Sequence, residues 1–134
     1  MKNFEVKHPD GISTIKIWFR RQARAFSCMC LTVCDLLPNS KAGQNLEYQL
    51  SKSCTAPALI YGEAQAAESR PDFIHKMKMV LKEIKEPRIN LKIIQTKPVI
   101  IHESVNIAFN ESTELMAIFI ASIETAKAKT RLQK

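Results

Sequence analysis

Glycine is scarce in this sequence, with three in 134 residues, and proline numbers six. A many-stranded β fold needs a turn about every 8–12 residues, which so few turn formers cannot supply. The same shortage leaves no Gly-rich phosphate loop and no nucleophile-elbow motif. No run approaches the roughly 18 uninterrupted apolar residues of a transmembrane span. The opening segment, residues 1–10, carries charges where a signal peptide has its apolar run. No membrane-spanning segment and a cytoplasmic location are therefore expected. The four cysteines, Cys28, Cys30, Cys34 and Cys54, form no CxxC pair. Disulfide frameworks suit small, loop-rich, secreted domains, so reduced and mostly buried thiols are the expectation here.

What is present is ordinary for a globular protein: 46% hydrophobic and 25% charged residues, enough for one domain with a real core. Lys and Arg outnumber Asp and Glu by 20 to 13, giving a net charge of +7 and a pI near 9.4. That balance suits an anionic partner, whether nucleic acid, an acidic protein face or a membrane surface. It also serves colloidal solubility alone.

Hydrophobic periodicity predicts four helices. Residues 1–15 read as an irregular arm, residues 16–130 as the bundle and residues 131–134 as a basic tail. The first helix ends near Leu37, with Ile15, Trp18, Gln22, Phe26, Met29, Cys30, Val33 and Leu37 on one face. Pro38-Asn39-Ser40 breaks it. The second runs from about Lys41 to Ala67 with the stripe Leu46, Leu50, Cys54, Pro57, Tyr61 and Ala64, locally bent by Pro57. Ser69-Arg70-Pro71-Asp72 is a helix start, with Ser69 as cap and Asp72 returning a bond to the cap residue. The third helix continues to about Gln95 on Phe73, Met77, Val80, Leu81, Ile84, Leu91 and Ile94, with a kink expected near Glu83 to Glu86 before Pro87. The fourth runs from about Ile101 to Lys129. Its core face is Val105, Ala108, Phe109, Ser112, Leu115, Phe119, Ser122 and Ala126, while Ile107, Ile118 and Ile120 lie outside it. Such surplus apolar surface points to a second buried contact. The fold class is all-α, an antiparallel up-down-up-down four-helix bundle.

Bundles can house metal centres, but the one Glu-x-x-His match, Glu5-Val6-Lys7-His8, lies in the arm and cannot supply two inward ligand sets. Cys30 and Cys34 share a helix face, yet no third or fourth ligand accompanies them, so small core residues is the simpler reading. Nothing ties His8, His75 or His102 to a cysteine as an activating base, and surface or capping roles suit them better. Glu83 and Glu86 alternate with Lys82 and Lys85, as helix-surface ion pairs do. No catalytic residue, metal ligand or cofactor is expected. The basic residues remain: Arg20, Arg21 and Arg24 near Trp18 on the first helix, and Lys76, Lys78, Lys82, Lys85, Arg88 and Lys92 on the third. Cations beside an aromatic suit a phosphate backbone and a base; a solvated face, and a packed Trp18, are the plainer alternatives.

Several segments resemble a known family: Leu36-Leu37-Pro38-Asn39-Ser40-Lys41-Ala42-Gly43, Gln49-Leu50, Ser53-Cys54-Thr55-Ala56-Pro57, Tyr61-Gly62-Glu63-Ala64, Ala67-Glu68-Ser69-Arg70-Pro71-Asp72-Phe73, Lys82-Glu83-Ile84-Lys85-Glu86 and the run from Glu114 to Ile123. Over roughly residues 20–128 the chain resembles the bacterial four-helix-bundle family of the ribosomal-RNA intervening-sequence proteins. The accessory protein of diversity-generating retroelements is a more distant relative. The resemblance implies a four-helix bundle assembled as a homopentamer, without enzymatic activity, that binds RNA, DNA or a protein partner. The chain departs from the family pattern with Ile60 in place of an Asn, Cys54 in place of a Gly, Pro87 inside the third helix, and Met29 where a basic residue is common. No role attached to that Asn transfers to this chain. Two functions follow as expectations: a non-catalytic oligomeric nucleic-acid binder, or a protein-interaction scaffold whose positive charge only keeps it soluble.

Overall fold

The computed structural model describes residues 14–132, with side chains from Lys16 onward. Within them are five helices and no strand: α1 (Thr14–Leu36), α2 (Lys41–Ser53), α3 (Ala56–Gln65), α4 (Arg70–Thr96) and α5 (Glu103–Leu132). α2 and α3 together make the second of four long helical elements. All but two residues of the N-terminal arm fall outside the described residues. Arg131 and Leu132, assigned to the basic tail from sequence, complete the last turn of α5, while residues 133–134 lie outside the description.

The division of the second element corrects the expectation of one helix bent at Pro57. Proline offers no N–H to the carbonyl four residues back, and its ring crowds that carbonyl, here that of Ser53. α2 therefore stops at Ser53, and Pro57 sits in the first turn of α3, where the missing donor costs nothing. The carbonyl of Cys54, in the break, is taken up by the neighbouring helix, since the buried Ser27 hydroxyl donates to it at 2.8 Å. Pro87 behaves otherwise: α4 is continuous through it and buries it in the core.

Two capping sites set the entries to α2 and α4. Ser40 Oγ accepts from Gly43 N–H at 3.1 Å, and Ser69 Oγ accepts from Asp72 N–H at 3.2 Å. Asp72 returns its bond to the backbone N–H of Glu68, one residue before the expected cap position. α5 is entered at His102, whose Nδ1 accepts from the Ser104 N–H at 3.1 Å, a capping role.

Cross-helix contacts give directions and register. Ser27 meets Cys54, Phe19 meets Tyr61 and Arg20 meets Gln65, so α1 runs opposite to α2 and α3. Arg88 meets Thr113, Lys92 meets Phe109 and Gln95 meets Asn106, so α4 and α5 also run opposite to one another. α1 packs on α2, α3 and α5, and α4 packs on the same three, whereas α1 and α4 share no substantial interface. They occupy opposite corners. The core is filled by Phe26, Leu50, Met77, Ile84, Leu91, Ile94, Leu115 and Phe119. On α1 the expected Phe26, Cys30 and Val33 are buried, but the N-terminal part of the buried face is turned from the expected one. Phe19, Ala23 and Cys34 are buried, whereas Trp18 is 40% exposed and Gln22 half-buried.

Gly43 explains one of the recognisable segments. A Cβ there would overlap the backbone carbonyl oxygen of Pro38, because the chain doubles back over the first turn of α2. Gly43→Ala should cost about 1–3 kcal/mol, as overpacking does, and Ser40→Ala about 1 kcal/mol, the worth of an N-cap. Urea denaturation of both variants checks this, and a Gly43→Ala variant as stable as the parent would refute the close approach.

Candidate nucleic-acid interface

α4 carries its basic residues in an order that its own geometry sorts. Its buried face is Met77, Val80, Ile84, Pro87, Leu91 and Ile94. At 3.6 residues per turn the opposite, outward face holds Lys78, Lys82, Lys85, Ile89, Lys92 and Thr96, spaced three and four apart. All six are exposed. Lys78, Lys82 and Lys85 make no ion pair with any described carboxylate, although Glu83 and Glu86 stand in the same turns, so the ion pairing expected from that alternation does not form.

Lys76 does not join this row. Its ammonium lies 3.5 Å from the Asp72 carboxylate and so belongs to the capped first turn of α4. Arg88 and Lys92 lean toward α5. The Arg88 guanidinium lies 4.6 Å from the centre of the Phe109 ring and donates to Thr113 Oγ1 at 3.4 Å, and Lys92 Nζ is 5.2 Å from the same ring. Cation–π contact holds both over an aromatic face instead of a carboxylate. Sequence periodicity alone missed Phe109 and Thr113 as partners of these cations, since it assigned Phe109 wholly to the core.

The arginines of α1 stand apart. Arg20 Nε donates to Gln65 Oε1 at 3.2 Å across to α3, while Arg21 and Arg24 are exposed and make no ion pair with a described carboxylate. Trp18 sits edge-on to Phe19 with centroids 5.3 Å apart and leaves part of its ring open. Because α1 and α4 hold opposite corners, the nine basic residues form two separate groups. Both groups reach the end of the molecule where α3 turns into α4.

C-terminal to the lysine row, α4 bears an open groove lined by Arg88, Ile89, Lys92, Ile93, Thr96 and Lys97. Ile89 is 58% and Ile93 47% exposed. The i, i+4 spacing of these isoleucines among cations is a signal readable in the sequence.

Among the described residues no group of three or more His, Cys, Asp or Glu is placed to hold a metal. The cysteines are free thiols, with Cys28 exposed and Cys30, Cys34 and Cys54 buried. A hydrogen bond to Cys54, reinforced by burial, holds the Cys30 thiol protonated far above its ordinary range. Burial pushes the Cys34 thiol up to about 11 and the Tyr61 phenol up to about 12. The hydrogen bond with Cys30 holds the Cys54 thiol below its ordinary range, while Cys30, Cys34 and Tyr61 are raised and so lack the depressed value of a nucleophile.

No known family model matches the chain, and no curated protein is similar to it. Among solved structures, the chain is similar to a protein of unknown function from the S23 ribosomal protein family of Bacteroides thetaiotaomicron VPI-5482. The two share 26% identity and a TM-score of 0.70, over 81% of this chain and 97% of that one. The likeness extends to the helical fold and stops short of an activity. No described helix is long and apolar enough to cross a membrane.

The buried thiol and phenol set an alkaline limit. Their folded values lie above the ordinary 9.0 and 10.0, so their contribution to stability is whole below about pH 9. It is lost as the pH rises through about 11 for Cys34 and about 12 for Tyr61. Denaturation at pH 7, 9 and 11 should show a steep fall above pH 9. Tyr61→Phe should recover about 1.4 kcal/mol of that fall at about pH 11, from the linkage between pKa and stability. An equal fall in the variant would contradict it.

Proposed function

We propose that this chain is a non-catalytic, homo-oligomeric, up-down-up-down four-helix bundle of the intervening-sequence protein kind, and that it binds nucleic acid. The observation that carries the reading is the outward row Lys78, Lys82 and Lys85 on α4, unpaired and pointing into solvent. Phosphate contacts release condensed counterions, and cations with no carboxylate partner can make them without first breaking an ion pair. Arg21 and Arg24 on α1 add a second, separate basic group at the opposite corner. The excess of basic over acidic residues favours the same ligand at long range.

The opposing directions of α1 against α2 and α3, and of α4 against α5, support the up-down order. The exposed isoleucines of α4 and α5 support self-association. Those isoleucines equally favour a second reading, in which the bundle is a protein-interaction scaffold and the charge serves solubility.

Binding to a single-stranded RNA should weaken steeply with salt. Replacing Lys78, Lys82 and Lys85 by Ala should lower the log–log salt slope by about 2, at roughly 0.7 per phosphate contact on a single strand. Fluorescence anisotropy across a salt series measures both quantities. Absence of binding to RNA and to DNA at low ionic strength would sink this reading, and an unchanged slope would remove these three lysines from it.

A further inference from the structure

α4 and α5 expose stripes of opposite character. On α5, Ile107, Glu111, Glu114 and Ile118 recur at four, three and four residues, so they line up away from the core residues Val105, Ala108, Ser112, Leu115 and Phe119. Ile107 is 50% exposed and Glu114 is exposed, with Glu111 and Ile118 half-buried, Ile118 resting in part on the chain's own core. Burial, and after it the neighbouring Glu114 carboxylate, hold the Glu111 carboxyl above its ordinary range. No described cation lies within ion-pair distance of either. On α4, the groove offers Ile89 and Ile93 between Arg88, Lys92 and Lys97, which have no carboxylate partner. Each stripe holds two isoleucines, and each lacks what the other supplies.

We infer that these stripes are the two halves of one contact between copies of this chain, with the α4 groove of one copy seated on the α5 stripe of the next. Like-on-like contacts are disfavoured. Two α4 grooves facing each other would bring together Arg88, Lys92 and Lys97 of both copies, and two α5 stripes would bring together four carboxylates. The contact is therefore heterologous: each copy offers one groove and one stripe, and the subunits close into a ring or extend as a chain. Ile89 and Ile93 leave water against Ile107 and Ile118, while Lys92 and Lys97 meet Glu111 and Glu114. The inference rests on the oligomeric part of the proposed function and assigns its surface. It leaves Lys78, Lys82 and Lys85, N-terminal to the groove, free for nucleic acid.

The test reverses charge on each side in turn, in protein freed of nucleic acid by nuclease. One variant carries Lys92→Glu with Lys97→Glu, the second Glu111→Lys with Glu114→Lys, and the third all four. Light scattering gives the mass, and circular dichroism confirms that helix content is kept. The parent should have a mass that is a multiple of 15.2 kDa. Both two-site variants should fall to the mass of one chain, and the four-site variant should return to the parent mass. A monomeric parent, two-site variants that keep the parent mass, or a four-site variant that stays monomeric would each overturn the contact. RNA binding is read separately by anisotropy. Its loss with assembly intact would sink the nucleic-acid reading alone, and its persistence in dissociated variants would not rescue the contact.

Discussion

Three rings hold the bundle together where its shortest helix packs. Phe19 of α1 stacks on Tyr61 of α3 with centroids 5.5 Å apart, and both meet Phe119 of α5 edge-on, at 5.2 and 5.7 Å. α3 has only ten residues, too few to form a stable helix in isolation. Its place depends on Tyr61, which the two phenylalanines clamp, and aromatic pairs in such offset and edge geometries contribute beyond the area they bury. The position of α3 then decides where α4 starts, because only residues 66–69 lie between them. Whatever α4 displays to solvent is aimed by this ring cluster.

Two prolines test how far sequence reasoning reaches. Pro57 and Pro87 impose the same local constraint, a missing donor and a crowded carbonyl four residues back. Around Pro57 the chain gives way, since Ser27 on α1 can satisfy the Cys54 carbonyl that the break turns aside. Around Pro87 the chain stays helical, with Ile84 and Leu91 buried on either side and α5 packed along its length. The positions of both constraints were legible. Their outcomes depended on packing partners on other helices, Ser27 of α1 for the break at Pro57 and α5 for the helix through Pro87, which no local window contains.

Most of the core stripes of the second, third and fourth elements were legible because their buried positions recur at three- and four-residue steps, although on α5 Ile123 is buried where Ser122 was expected. On α1 the expected Phe26, Cys30 and Val33 are buried, and only the N-terminal part of the stripe was misread, by one position. Trp18 and Phe19 are adjacent, each begins an acceptable apolar series, and only the partners Tyr61 and Phe119 decide in favour of Phe19. The candidate site was legible in its composition and illegible in its grouping. Nine basic residues could be named from the chain, but the separation of α1 from α4 across the bundle is a tertiary fact. So is the capture of Lys76 by the Asp72 cap, and of Arg88 and Lys92 by Phe109.

That grouping gives α4 two surfaces in series, divided near Pro87. The outward row of the N-terminal part is Lys78, Lys82 and Lys85, whose long stems and compact hydrated charges suit a mobile phosphate backbone. The C-terminal part presents isoleucines bordered by cations, a surface with something to gain from losing water as well as from meeting charge. A purely electrostatic ligand has no use for Ile89 and Ile93, and a purely apolar partner has none for Lys92 and Lys97. One helix can therefore serve two ligands without competition, provided each occupies its own half. Pro87 assists the division from within: it contributes no charge and no outward side chain, and it anchors the junction in the core while the exposed face changes character above it.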